Sequence, residues 1–165
     1  MDRTEGPHSI ADATPPGDPR FVADGWSLSL PEGWHNETVY HLDGPTVQGT
    51  TVRVVIHVDP DIGDVGVADY AHVRIERLRA STRTALIHDR KQERLDEDRS
   101  ANRCRVLVPA PETTRLNDHV YLVESGTGYE LTVTVPRIHY PQFRPVVDWM
   151  IRSFEPKSPF REQGT

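Results

Sequence analysis

Lysine is nearly missing from this 165-residue chain: only Lys91 and Lys157 occur, and arginine supplies the rest of the basic charge. Cysteine is rarer still. The lone Cys104 excludes an internal disulfide and any cysteine-built zinc site. No run approaches 18 consecutive apolar residues, so no membrane-spanning helix is expected. Met1 to Pro19 is acidic and rich in proline and glycine, with no apolar core of a signal peptide and no lipobox cysteine. That points to a cytoplasmic protein. Excess positive charge is missing too. The net charge of -6 gives no support for binding nucleic acid. A serine elbow, a glycine-rich phosphate loop and a His-Glu-x-x-His pair are all absent, so no catalytic residue, no cofactor and no enzymatic activity are expected.

What is present is a pattern of strands and two helices. Trp26, Leu28 and Leu30 alternate with Gly25, Ser27 and Ser29, as a strand with one buried face does. Thr38 to Asp43 reads as a second strand, followed by a loop over residues 44–49. Thr51 to Val58 is dense in β-branched residues and sets Val52, Val54, Ile56 and Val58 on one face. Val67 to about Ser81 carries Val67, Tyr70, Ala71, Ile75 and Leu78 at helical spacing. The charged stretch from Asp89 to Arg99 must be an exposed edge or hairpin. Arg103 to Val108 is a strand in which Cys104 faces away from its two arginine neighbours, a buried structural thiol. Residues 119–124 and 129–135 form a hairpin around Ser125-Gly126-Thr127-Gly128. A closing helix over 141–154 has a stripe of Phe143, Val146, Val147, Met150, Ile151 and Phe154, with Pro145 in its first turn. Trp26, Ile56, Ile75 and Trp149 are expected to bury one another.

The polar residues with chemical potential are few. His57 and Asp59 share a strand face, and His41 can join them from the neighbouring strand. They read as the lining of a polar groove, not as a metal site. His35, His119 and His139 read as surface histidines. Asp96, Glu97 and Asp98 read as a solvated charge run. If Val52 to Val58 face the core, then Arg53, Val55, His57 and, from the strand before, Val39 and His41 share the other face.

Residues 21–43, with the turn Pro31-Glu32-Gly33-Trp34, resemble the opening of the DcrB-like family, whose fold is that of the PsbP photosystem subunits. Val54-Val55-Ile56-His57 with Asp59 resembles that family's central strand. Ala68-Asp69-Tyr70 resembles the start of its first helix, and Trp149 to Phe154 the end of its last. The resemblance runs over residues 21 to 155. It implies an α+β fold: a curved antiparallel sheet with two main helices packed on it. The implied organisation is one domain over 20–156, flanked by flexible tails at 1–19 and 157–165. Small cytoplasmic members include the Eag chaperones of type VI secretion, which are homodimers that hold hydrophobic N-terminal segments of an effector in a concave sheet face. The resemblance implies a partner-binding groove at Val39, His41, Arg53, Val55, His57, Arg74, Leu78 and Thr82. The implied partner is a secreted effector protein. Arg53, His57 and Arg74 stand where the family has small or neutral groups, which implies polar or acidic groups on the client. The runner-up is a PsbP-like structural or interaction subunit of another assembly.

Overall fold

A computed structural model describes residues 20–23, 26–29, 38–47 and 50–156. The expected tails, 1–19 and 157–165, and the Pro31–Trp34 turn lie outside the described residues. The chain divides into two compact units, Met1–Asn36 and Glu37–Thr165. The described part of the first is an antiparallel hairpin of β1 (Arg20–Ala23) and β2 (Trp26–Ser29). Phe21 stands opposite Leu28, and Ala23 opposite Trp26.

The second unit is built on a six-stranded antiparallel sheet. In chain order its elements are β3 (Thr38–Val47), β4 (Thr50–Asp59), α1 (Val67–Ser81), β5 (Leu86–Arg94), β6 (Ser100–Val108), β7 (Arg115–Glu124), β8 (Thr127–Pro136) and α2 (Tyr140–Ser153). A single 3-10 turn, Arg137–His139, leads into α2. The sheet order is β3-β4-β8-β7-β6-β5. Strands β5 to β8 form a meander, and β4 pairs with the last of them. The chain must therefore travel from β4 to the far edge before β5 begins, and α1 makes that crossing over β6 and β7.

Strand alternation gives the sheet two different faces. Val52, Leu116, Val120, Leu131, Val133 and Val135 meet Val147 and Ile151 of α2. Cys104, Val106 and Tyr121 meet Tyr70, Ala71 and Ile75 of α1. The two helices thus lie on opposite sides of the sheet. This corrects one expectation. Ile56 belongs to the α2 side and Ile75 to the α1 side, so they cannot touch. Trp149 is 68% exposed on the outer surface of α2, and the side chain of Trp26 lies outside the described residues. Helix phase explains Trp149: it sits two residues from Val147 and Ile151, about half a turn off the buried stripe. Val146 is exposed for the same reason.

Several boundaries also differ from the sequence reading. Strand β3 continues to Val47 through a register shift between Asp43 and Thr46, where a loop was expected. Strands β6 and β7 start earlier, at Ser100 and Arg115. Helix α2 starts at Tyr140, so Pro145 lies inside the helix beyond its first turn, and it is exposed. The β7–β8 turn needs positive φ at both central positions, and Ser125 (49°) and Gly126 (76°) supply it. Gly128 has a separate duty. A Cβ there would stand 2.5 Å from the Tyr70 ring, so only glycine lets α1 seat on β8.

Candidate functional site

Strands β3 and β4 form a ribbon along one side of the sheet: Val52, Val54, Ile56 and Val58 of β4 pack into the core under α2, while on the other side, among the described residues, α1 crosses β6 and β7 and meets β4 at Asp59. Register fixes which residues share the ribbon's α1-side face. Val39 pairs with His57, His41 with Val55, and Asp43 with Arg53. Directly opposite residues share a face. All five strand residues expected in the groove, Val39, His41, Arg53, Val55 and His57, therefore lie on one surface. Across β4, Val55 pairs with Thr132 and Arg53 with Thr134, so hydroxyls of β8 continue the surface towards α1. Val39, His41 and Arg53 are exposed, whereas Val55 and His57 are half-buried.

The expected helix residues join this surface unequally. Arg74 stands at the boundary, its side chain only 11% exposed. Its acceptors come from its own chain: Nε donates to Glu130 at 2.7 Å and Nη1 to Asp59 at 3.2 Å. Leu78 packs against the α1-side core. Thr82 is half-buried at the helix end, its backbone N–H bonded to the Leu78 carbonyl. Arg53 donates from Nε to Asp43 at 2.8 Å in an exposed pair, which leaves the rest of its guanidinium to solvent.

Arg74 belongs to a polar seam that sequence reasoning missed. The Tyr70 hydroxyl donates to Asp59 at 2.8 Å. Glu130 receives Arg74 on one oxygen, and His119 Nδ1 lies 3.0 Å from the other. His119 is buried, not at the surface as expected, and its ring stacks parallel to Tyr121 at 6.3 Å. Burial pushes the Glu130 carboxyl up, but the His119 hydrogen bond and the charges of His119 and Arg74 outweigh it. Glu130 is therefore held below the ordinary carboxylate range and stays ionised.

A second seam lies on the α2 side. Arg103 clamps the fully buried Asp118 with Nε at 2.7 Å and Nη2 at 2.6 Å. Tyr140 donates its hydroxyl to the same carboxylate at 2.7 Å. Glu93 and Asp148 complete the ring of acids around Arg103 at 3.2 and 2.8 Å. Arg105 pairs with Asp89 and lies over the Tyr140 ring. These groups are consumed in fastening α2 and β5 to the sheet.

On the other face of the ribbon, Tyr40 and Leu42 are 55% and 54% exposed. The ribbon is thus apolar towards α2 and mixed, with arginine and histidine among valines, towards α1. Among the described residues no helix is long and apolar enough to cross a membrane.

No protein-family model matches the chain, and no curated protein matches it in sequence. Solved structures do. One is PA94 from Pseudomonas aeruginosa, a protein of unknown function described provisionally as a regulator. It aligns with a TM-score of 0.63 at 16% identity, over 84% of this chain and 96% of its own. Another is the cyanobacterial PsbP (CyanoP) of Synechocystis sp. PCC 6803, with a TM-score of 0.53 at 12% identity, over 92% of this chain and 100% of its own. At such identities the likeness carries the fold alone. The chain has a PsbP-like α+β fold, an antiparallel sheet with its two helices packed on it.

Proposed function

We propose that this protein is a non-enzymatic chaperone or adaptor that holds a segment of a secreted effector protein on the α1-side face of the β3–β4 ribbon. It acts in the cytoplasm as a homodimer, in the manner of the DcrB-like effector chaperones it resembles. The observation that carries the reading is the coincidence of Val39, His41, Arg53, Val55 and His57 on one strand face, beside the strands β6 and β7 that α1 crosses. Valines offer apolar contact. Arginine stems extend that contact while their heads reach carbonyls or carboxylates. The fitting client is a hydrophobic or amphipathic N-terminal segment with polar or acidic groups along one side. The PsbP-like fold equally suits a structural or interaction subunit of another assembly. The two readings differ in the partner.

The test is co-expression with a neighbouring-gene product that carries such an N-terminal segment. Wild type is expected to retain it through purification, and Arg53→Glu to lose it while keeping its own melting curve. Equal recovery by both proteins removes the groove from the proposal. Binding to a partner without any apolar N-terminal segment favours the structural subunit.

A further inference from the structure

We infer that α1 is a lid, which lifts from the sheet as a unit while the α2 side stays folded and uncovers a polar floor on β6, β7 and β8. Three observations support this. The first is the floor itself. Asn102 Nδ2, His119 Nε2 and the Tyr121 hydroxyl are buried without a hydrogen-bond partner. All three residues face α1. Asn102 stands directly opposite Tyr121 across β6 and β7, and His119 stacks beside it. Buried polar groups without partners penalise the closed state, and water satisfies them once the helix lifts. On the α2 side, by contrast, Arg103, Asp118 and Tyr140 are all partnered, and Asp148 Oδ1, which makes no hydrogen bond, is ion-paired with Arg103 at 2.8 Å.

The second observation is how α1 is held. Its fully buried apolar contacts come from Tyr70, Ala71 and Ile75 alone. Much of the remaining attachment is polar: Tyr70 to Asp59, and Arg74 to Glu130 and Asp59. Water replaces such bonds at small cost, whereas it cannot replace apolar contact. The third is the hinge. The helix starts at Gly66 with no side-chain cap. The chain enters through Asp61 and Gly63, both at positive φ, and a Cβ at Gly63 or Gly66 would meet nothing within 4 Å. Short segments of this kind absorb the backbone rotation of a moving element.

The chain carries its own reporter. Cys104 is its one cysteine and lies fully buried among the residues beneath α1. Its reaction with a disulfide thiol reagent in the full-length protein measures the opening. The control is Cys104→Ala combined with Val133→Cys, which sets the thiol beneath α2. The Cys104 thiol is expected to react at least about tenfold faster than the control, as sub-global opening outpaces global unfolding. Gly128→Ala wedges the Tyr70 ring away and is expected to accelerate Cys104 by about tenfold again, without changing the Val133→Cys rate. Tyr121→Phe removes one orphaned hydroxyl and slows Cys104. Equal rates for the two thiols, with the same urea dependence, overturn the lid. If the Val133→Cys protein fails to fold, amide exchange decides. Weaker protection in α1 than in β8 sustains the lid, and equal protection refutes it.

Discussion

One half of the sheet lies under α1 and the β3–β4 half lies beside it, and they are built from different chemistry. Strands β6, β7 and β8 carry the two helices, and their charged residues are paired: Arg103 with Asp118, Glu130 with His119 and Arg74. Strands β3 and β4 carry arginine and histidine too, but Arg53, His41 and His57 share the α1-side face of the ribbon, where Arg53 and His41 are exposed and His57 is half-buried. The same residue types are buried and paired in one half and more exposed in the other. What decides between them is whether a helix crosses above. That in turn follows from topology, because α1 must carry the chain from β4 to the far edge and so passes over the middle of the sheet.

The largest expected effect lies in the half under α1. Arg103→Ala leaves Asp118, which is fully buried, as an uncompensated charge. Breaking such a pair costs about 3–5 kcal/mol, to be read from urea melts. A loss below about 1 kcal/mol contradicts the assignment of this seam as structural. Next come apolar deletions, which sharpen the contrast directly. Ile151→Ala, in the α2 contact, is expected to cost about 2–5 kcal/mol, and Ile56→Ala, half-buried on the ribbon, roughly half as much. Equal losses in the same denaturant series erase the difference between the halves.

Acid and alkali probe the same half more gently. Asp89, Glu93 and Glu130 are held below their ordinary range by arginine or histidine partners. Each binds a proton more readily in the unfolded chain, so their contribution is complete above about pH 5 and is lost as pH falls through their folded values. Tyr140 behaves oppositely. Burial and its bond to Asp118 push its phenol up to about 12. The folded state keeps that proton, so stability falls as pH rises from about 10 towards 12. Unfolding free energies across pH are expected to show a plateau with a fall at each end. A maximum below pH 4 contradicts the acid limb.

Much of the frame was legible from single residues. Val52, Val54, Ile56 and Val58 alternate, and Val67, Tyr70, Ala71, Ile75 and Leu78 recur at helical spacing. Each pattern depends only on neighbours a few positions away. That Val39, His41, Arg53, Val55 and His57 share one face followed from the same alternation once β3 and β4 were taken as partners. What sequence could not give is register across distant strands. His119, beside Asp118, reads as a surface histidine. The burial of the two depends on Arg103, fifteen residues before Asp118, and Glu130, eleven after His119, arriving beside them. Nor does an apolar stripe state which side of a sheet its helix will cover, so Ile56 and Ile75 were wrongly joined. Trp149 misled because a large aromatic invites a core assignment that helix phase denies it.

The smallest expected effect on stability belongs to the β3–β4 half. The Arg53–Asp43 pair is exposed on both sides, so Arg53→Glu should change the unfolding free energy by no more than about 1 kcal/mol in melts. A larger loss would mean that this residue supports the fold, and the ribbon would no longer count as free for a partner.

The central claim is that the partner sits on the α1-side face of the ribbon and not on its other face. Two residues of β3, three positions apart, separate the two, since Val39 faces the α1 side and Leu42 the α2 side, and both are exposed. The decisive measurement is the affinity of the co-expressed partner's N-terminal segment for Val39→Glu and Leu42→Glu, each checked for an unchanged melt. A buried charge at the contact is expected to weaken binding at least about tenfold for Val39→Glu, with Leu42→Glu close to wild type. The reverse order, or equal losses from both, contradicts the account.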